Sequence, residues 1–139
     1  MKVQEIMSQN VEWIEPETLI AKAAEKMRER DIGFLPICES GRLIGTVTDR
    51  DITIRSVAEG RDPRLAPVRE IMTQSVFYSY DDDDVERVGK YMQERDVHRM
   101  LILNRQKRLV GVITIGDIAK ASGAKELAGE TLGDIAEAA

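Results

Sequence analysis

The stretch GTVTDRDI at residues 45–52 returns at residues 111–118 as GVITIGDI, and this repetition decides the fold. Gly, Thr, Asp and Ile keep their spacing, while the residues between them change. The likeness extends outward, since VQEIMSQNV from Val3 matches VREIMTQSV from Val68, and MRERDI from Met27 matches MQERDV from Met92. The chain is therefore a duplication, and each copy can be interpreted with the help of the other.

Each copy predicts the same order of elements. A short helical turn precedes a brief strand, expected near Val11–Ile14 and near Val76–Tyr78. An amphipathic helix follows, then two strands joined by a polar hairpin turn, and a second helix begins at the Thr of the repeated phrase. The helix faces that we expect to be buried carry Leu19, Ala23 and Met27 in the first copy and Val85, Val88 and Met92 in the second.

A single copy of about 60 residues buries so little surface that its stability on its own would be marginal. We therefore expect an α+β (α/β) fold of two β-α-β-β-α repeats packed sheet to sheet with pseudo-two-fold symmetry. The repeats are predicted at residues 1–60 and 61–122, because Gly60, Pro63 and Pro67 interrupt helix and strand between them. Residues 123–139 are predicted to be a weakly structured tail or a short helix.

Composition excludes some partners and suggests a compartment. The net charge of −5 argues mildly against nucleic acid, because phosphate backbones select basic surfaces. No apolar run approaches the ~20 residues that a membrane span requires, so we expect no membrane partner. The single cysteine, Cys38, forms no internal disulfide, which favours a reducing cytoplasmic location and a buried structural thiol.

The repeated phrase has a structural and a functional interpretation. Thr-x-x-Asp is typical of a capping box, in which Thr48 or Thr114 accepts from a free amide and Asp51 or Asp117 reaches back. The same groups can bind a nucleotide, because a helix N-terminus attracts phosphate and a carboxylate accepts from a ribose diol. Gly45 and Gly111, inside strands, indicate a bulge or the close approach of another group.

The duplicated β-α-β-β-α unit that ends in G-x-x-T-x-x-D resembles the cystathionine β-synthase (CBS) domain, here as a tandem pair over roughly residues 1–121. The resemblance implies two clefts between the halves, which often bind adenosine-containing ligands. Each cleft would take Thr and Asp from one half, and residues of the first short strand and before the hairpin from the other. The first cleft would contain Thr48, Arg50, Asp51, Val76, Val97, His98, Arg99 and Leu101. The second would contain Val11, Ile32, Gly33, Phe34, Pro36, Thr114 and Asp117.

The two clefts are expected to differ. His98 and Arg99 stand in DVHRML where the first copy has Gly33 and Phe34 in DIGFLP, and the resemblance implies that such a pair binds phosphate. Arginine suits this role because its planar guanidinium makes bidentate bonds to phosphate oxygens. Arg50 adds a further cation, so we expect a phosphorylated adenine nucleotide in the first cleft. Leu101 replaces the proline frequent in the family, which Pro36 keeps.

Other features have simpler interpretations. We expect Asp81–Asp84 to cap a helix rather than to bind a divalent ion. We identify no catalytic or metal-ligand constellation, so no enzyme activity, catalytic cofactor or metal is expected. The resemblance implies a regulatory homodimer that acts on a separate effector protein. The alternative is an interaction module whose clefts are vestigial and whose repeated phrases serve only as caps.

Overall fold

The computed structural model of the protein describes residues 1–121. These residues divide into two units. One, the Thr48 unit, holds Glu12–Val76, and the other, the Thr114 unit, holds Met1–Val11 together with the described residues from Phe77 onward. Both units mix helices and strands, so the predicted α+β class is confirmed. The predicted tail at 123–139 lies outside the described residues, and the sheet-to-sheet packing stays a prediction.

The Thr48 unit is built on a β-hairpin. Its strands pair antiparallel, with an irregularity between Ile37 and Cys38. Single bridges extend the hairpin on both sides, from Ile14 to Ile37 and from Thr46 to Thr73. The elements are helix α1 (Ile20–Arg30), strands β1 (Phe34–Glu39) and β2 (Arg42–Thr48), and helix α2 (Asp49–Asp51), which continues as a π-helical segment at Ile52–Val57.

The Thr114 unit repeats this plan with one more regular strand. Its sheet has the order β3-β4-β5, in which β3 runs parallel and β5 antiparallel to β4. A bridge from Ser8 to Val112 extends the sheet beyond β5. The elements are β3 (Tyr78–Tyr80), helix α3 (Val85–Arg95), β4 (Arg99–Leu103), β5 (Leu109–Thr114) and helix α4 (Ile115–Lys120).

The first short strand was predicted in both copies, and in the first copy this prediction is wrong. Only Ile14 pairs there, exchanging backbone bonds with Pro36 and Cys38. The counterpart of Pro16 in the second copy is Asp81, whose N–H donates to the Leu103 carbonyl at 2.9 Å. Proline has no N–H to donate, so the ladder stops before it. The second strand forms, although it covers Tyr78–Tyr80 rather than Val76–Tyr78.

The amphipathic helices bury the predicted faces with one exception. Ala23 and Met27 are buried on α1, but Leu19 is 36 % exposed. Leu19 is the extended residue that precedes the helix, so its side chain does not lie on the helical face, and Ile20 fills the core instead. On α3 the prediction is confirmed, because Val85, Val88 and Met92 are all buried.

Cys38 is a buried structural thiol, as the sequence predicted. It is free and 1 % exposed. Burial raises its pKa to about 11, because a thiolate is poorly solvated there. Its counterpart, Leu103, follows the same irregularity in the second hairpin, between Ile102 and Leu103. The two copies therefore use one backbone geometry and place a small apolar side chain or a larger one at the same point.

The opening segment of each repeat, Val3–Ser8 in the first and Val68–Thr73 in the second, packs in the unit that is formed mainly by the other repeat. In the Thr114 unit, the Val3 N–H donates to the Asp83 carbonyl at 2.9 Å. In the Thr48 unit, the Val68 N–H donates to the Thr18 carbonyl at 2.8 Å. Val3 and Val68 are both fully buried. The predicted repeats at 1–60 and 61–122 are thus copies in sequence, whereas the compact units are offset from them by one opening segment.

Candidate functional site

Both copies of the repeated phrase form the same helix cap. In the first, the Asp51 N–H donates to Thr48 Oγ1 at 3.0 Å, and the Thr48 N–H donates to Asp51 Oδ2 at 3.0 Å. In the second, the corresponding bonds join Thr114 and Asp117 at 3.1 and 2.8 Å. The structural interpretation of the phrase is therefore confirmed. Each cap uses only one oxygen of the aspartate carboxylate. It also leaves the threonine O–H available to donate, since a hydroxyl both donates and accepts.

The glycines of the phrase are required by the opening segments. A β carbon at Gly45 would lie 2.8 Å from the Thr73 carbonyl oxygen. One at Gly111 would lie 2.9 Å from the Ser8 carbonyl oxygen. Met72 and Met7 lie against the same two glycines. The predicted close approach is thus made by the protein's own backbone.

The neighbours of the two aspartates differ. Asp51 Oδ1 lies 3.6 Å from Arg55 Nη1, and the Asp51 side chain is 13 % exposed. The residue that corresponds to Arg55 in the second copy is Ala121, which is buried and carries no charge. Arg50 next to Asp51 is exposed, and its counterpart is Gly116. The first phrase therefore has two arginines where the second has none.

The predicted phosphate-binding pair lies in the Thr114 unit. His98 and Arg99 are both exposed. Arg99 begins β4 and is the cross-strand partner of Thr114, while the His98 carbonyl accepts from the Ile115 N–H at 3.1 Å. Phe34 pairs with Thr48 in the same way, and the Gly33 carbonyl accepts from the Asp49 N–H at 3.0 Å. Within each unit, the residues before the hairpin thus lie beside that unit's own cap.

The remaining predicted site residues divide between the units. Val76 belongs to the same unit as Thr48, and Val11 to the same unit as Thr114, although we expected each to come from the opposite half. Each predicted cleft combines residues of both units, so the composite clefts stay predictions. The Thr48 unit holds Thr48, Arg50, Asp51, Val76, Ile32, Gly33, Phe34 and Pro36, and the Thr114 unit holds Val11, Val97, His98, Arg99, Leu101, Thr114 and Asp117.

The acidic run at residues 81–84 does not cap α3 through its side chains, which corrects our expectation. Asp84 occupies the capping position but makes no capping bond, and its Oδ1 instead accepts from Lys2 Nζ at 3.3 Å. Asp83 Oδ2 accepts from the Tyr80 N–H at 2.8 Å. Asp82 Oδ1 accepts from Arg105 Nη2 at 2.7 Å. These carboxylates therefore accept hydrogen bonds from other donors and not from the N–H groups at the start of α3.

Sequence reasoning missed a groove of about 1120 Å³ in the Thr114 unit. All three tyrosines line it, together with the first turns of α3 and Arg105. The Arg105 guanidinium carbon lies 4.0 Å from the Tyr80 ring centre. A hydrogen bond from Lys107 lowers the pKa of Tyr80. The clustering of every tyrosine between residues 78 and 91 was the signal that could have indicated this groove.

The protein is a tandem-repeat α+β protein, because each of its two units carries a Thr-x-x-Asp cap at the start of its second α-helix. The CBS domain model matches residues 3–57 and 68–124. The chain therefore belongs to the CBS domain family, as the resemblance of its motifs implied.

Two bacterial relatives match most of the chain. Hypoxic response protein 1 of Mycobacterium tuberculosis is 41 % identical over 119 residues, which cover 84 % of this chain and 82 % of that protein. The CBS domain-containing protein YhcV of Bacillus subtilis is 33 % identical over 133 residues, which cover 96 % of this chain and 94 % of the relative.

Solved structures share the fold. Hypoxic Response Protein I with two coordinated zinc ions aligns with a TM-score of 0.76 and 36 % identity, covering 86 % of this chain and 98 % of that one. The CBS domain pair of protein MJ0100, in complex with 5′-methylthioadenosine and S-adenosyl-L-methionine, aligns with a TM-score of 0.71 and 27 % identity, covering 90 % and 98 %.

No group of three or more His, Cys, Asp or Glu side chains within residues 1–121 could hold a metal ion. No helix in this range is long and apolar enough to cross a membrane.

Proposed function

We propose that this protein is a regulatory module that senses adenine nucleotides, such as AMP, ADP or ATP, and acts on a separate partner protein. The observation that carries the proposal is the likeness to the CBS domain pair of MJ0100, whose structure contains two adenosine compounds. CBS domain pairs are regulatory modules, so we propose binding rather than catalysis.

The groups left over by the cap support this role. Thr48 Oγ1 accepts a backbone bond and keeps its O–H to donate to a ligand oxygen. Asp51 uses one oxygen in the cap, and a carboxylate accepts several hydrogen bonds at once. A ribose diol is the ligand group that suits such an acceptor. The cap and the binding site are therefore compatible uses of the same residues.

The unequal charges support a phosphorylated ligand at the first cleft. We propose that Arg50, His98 and Arg99 bind its phosphate, with Val76, Val97 and Leu101 against the adenosine. The second cleft, with Thr114 and Asp117, Val11, Ile32, Gly33, Phe34 and Pro36, would be empty or take an uncharged nucleoside. Since charge-assisted bonds to phosphate are strong, the cations of the first cleft would make it bind AMP more tightly than adenosine.

We further propose a cytoplasmic homodimer. Ile54, Val57 and Leu65 are 43 %, 67 % and 76 % exposed, and all three are large apolar residues of the Thr48 unit. Exposed apolar residues mark a surface for contact with another protein when they form one contiguous patch. Ligand binding would change the affinity of the dimer for its effector, which is the ordinary form of allosteric coupling.

The alternative function is an interaction module with vestigial clefts. The observation that favours it is the completeness of both caps, because stability alone is a sufficient reason for the repeated phrase. A cap of this kind contributes about 1 kcal/mol. The two functions differ in whether the purified protein binds any adenosine compound.

Calorimetric titration of the purified protein with AMP, ADP, ATP, NAD and 5′-methylthioadenosine tests the proposal. The wild type should bind at least one phosphorylated compound. Arg99→Ala should abolish that binding, while 5′-methylthioadenosine, which has no phosphate, should be affected much less. Arg64→Ala is the matched control, because it removes an exposed arginine from the connection between the repeats.

The titration has clear adverse outcomes. If no adenosine compound binds the wild type, the vestigial interaction module is correct. If AMP binds Arg99→Ala as tightly as the wild type, Arg99 is not a phosphate ligand. A melting-temperature shift with each compound is an independent check, because a ligand that binds only the native state stabilises it.

A further inference from the structure

Arg55 occupies a special position in the Thr48 unit. It follows Asp51 by one helical turn, in the π-helical segment Ile52–Val57, where the Ala58 N–H donates to the Thr53 carbonyl at 3.0 Å. The π geometry is uncommon and often marks functional sites. Its equivalent in the other unit, α4, is an ordinary α-helix.

One nitrogen of Arg55 joins three groups. Its Nη1 donates to the Ile71 carbonyl at 3.0 Å and to Thr73 Oγ1 at 3.0 Å, and it lies 3.6 Å from Asp51 Oδ1. The hydrogen bonds to the opening segment of the second repeat therefore fix the guanidinium independently of its contact with the carboxylate. A charge that is already held in place orients its partner at a lower entropic cost.

Both carboxylate oxygens of Asp51 are thereby constrained. Oδ2 accepts from the Thr48 N–H at 3.0 Å, and Oδ1 faces Arg55. In the other unit, Asp117 Oδ2 makes the corresponding cap bond, but the position of Arg55 holds Ala121. No ion pair to Asp117 is found among residues 1–121. The two copies share the cap and differ in the group that orients the second oxygen.

We propose that Arg55 is a positioning residue that orients the Asp51 carboxylate for a vicinal diol, so that diol selectivity belongs to the first site. This inference rests on the proposed function, since it concerns the ligand of the same Asp51. Arg55 acts through Asp51 and does not contact the ligand. The segment Ile71–Thr73 fixes Arg55 and therefore contributes indirectly to ligand selectivity.

The test compares AMP with 2′,3′-dideoxyadenosine 5′-monophosphate, which keeps the phosphate and lacks the diol. Binding is followed at the backbone amide signals of Thr48 and Asp51 by NMR, so that the first site is observed separately from the second. The wild type should prefer AMP. Arg55→Ala should reduce this preference about five- to tenfold, because the diol then loses about one well-oriented hydrogen bond to Asp51.

Two further variants make the result specific. Thr73→Val removes one of the groups that fix Arg55 and should reduce the preference by a smaller factor. Arg61→Ala is the matched control, because Arg61 Nε donates to the Arg55 carbonyl at 3.0 Å but makes no contact with Asp51. A merely structural role would make Arg55→Ala and Arg61→Ala alike in stability and leave the preference unchanged in both.

Each outcome is decisive. A reduced preference in Arg55→Ala and Thr73→Val, with Arg61→Ala unchanged, supports the inference. An unchanged preference in folded Arg55→Ala, or an equal loss in Arg61→Ala, overturns it. If Arg55→Ala does not fold, Thr73→Val decides alone by the same criterion. If the wild type binds adenosine compounds nowhere, the proposed function fails and this inference fails with it, a result that the wild type alone reveals.

Discussion

The two Thr-x-x-Asp phrases have the same hydrogen bonds and different surroundings. Both threonines accept from the aspartate N–H at 3.0 or 3.1 Å, and both aspartates accept from the threonine N–H at 2.8 or 3.0 Å. Around Asp51 stand Arg50 and Arg55, whereas Asp117 has Gly116 and Ala121 at those positions. The shared bonds stabilise the start of each helix, and the differing neighbours are the residues at which we propose that ligand selectivity is set.

The largest expected effect concerns a feature common to both copies. Gly45→Val and Gly111→Val should each destabilise the fold by about 1–3 kcal/mol or more, because the new side chain collides with the backbone of Thr73 or Ser8. Urea unfolding measures the loss. Gly116→Ala is the control, since its β carbon would meet only Thr114 Oγ1, at an ordinary 3.5 Å. Wild-type stability in both valine variants would contradict the packing described above.

The second prediction separates stability from binding. Asp51→Ala and Asp117→Ala should each cost about 1 kcal/mol by thermal unfolding, because each removes half of an equivalent cap. AMP binding, measured by calorimetry, should be lost only in Asp51→Ala if the first cleft is composite. Loss in Asp117→Ala instead would assign the ligand to the Thr114 unit, where Arg99 is the cross-strand partner of Thr114.

The smallest expected effect on stability concerns the ion pair between Asp82 and Arg105, which the first copy does not repeat. A hydrogen bond from Arg105 lowers the pKa of Asp82, whereas the corresponding Glu17 pairs with Arg69. A lowered carboxyl pKa contributes stability above the unfolded-state pKa, and the contribution disappears as the pH falls through the folded-state pKa. Because this pair is exposed, Arg105→Ala should leave the melting temperature at neutral pH nearly unchanged.

The Asp82 pKa itself gives the measurable signal. Arg105→Ala should raise it to the ordinary range in an NMR titration of the carboxyl carbon. Arg87→Ala is the control, because Arg87 Nη1 lies 3.9 Å from Asp83 and makes no ion pair with Asp82. An Asp82 titration that does not move in Arg105→Ala would show that the ion pair is absent in solution.

Much of the fold could be predicted because its signals are local and occur twice. The hairpins, the helix faces and the caps each depend on residues a few positions apart, and the second copy supports the interpretation of the first. Single residues account for the errors. Pro16 ends a ladder that Asp81 continues, and Leu19 lies just outside the helix whose face it was expected to share.

The site was less accessible to prediction because its distinguishing contacts are long-range. Arg55 contacts residues 16 and 18 positions later, and no local pattern indicates that pairing. The same holds for Gly45 and Gly111, where the pattern indicated a close approach but not the segment that makes it. Residue types revealed the difference between the copies, as at Arg50 and Gly116, without revealing its geometry.

The exchange of opening segments has a consequence for any attempt to cut the protein in two. A fragment that ends at residue 60 keeps Val3, which packs on the missing part, and lacks Val68, which would fill its own core. We therefore expect each isolated repeat to remain unfolded or to pair with a second copy by trading these segments.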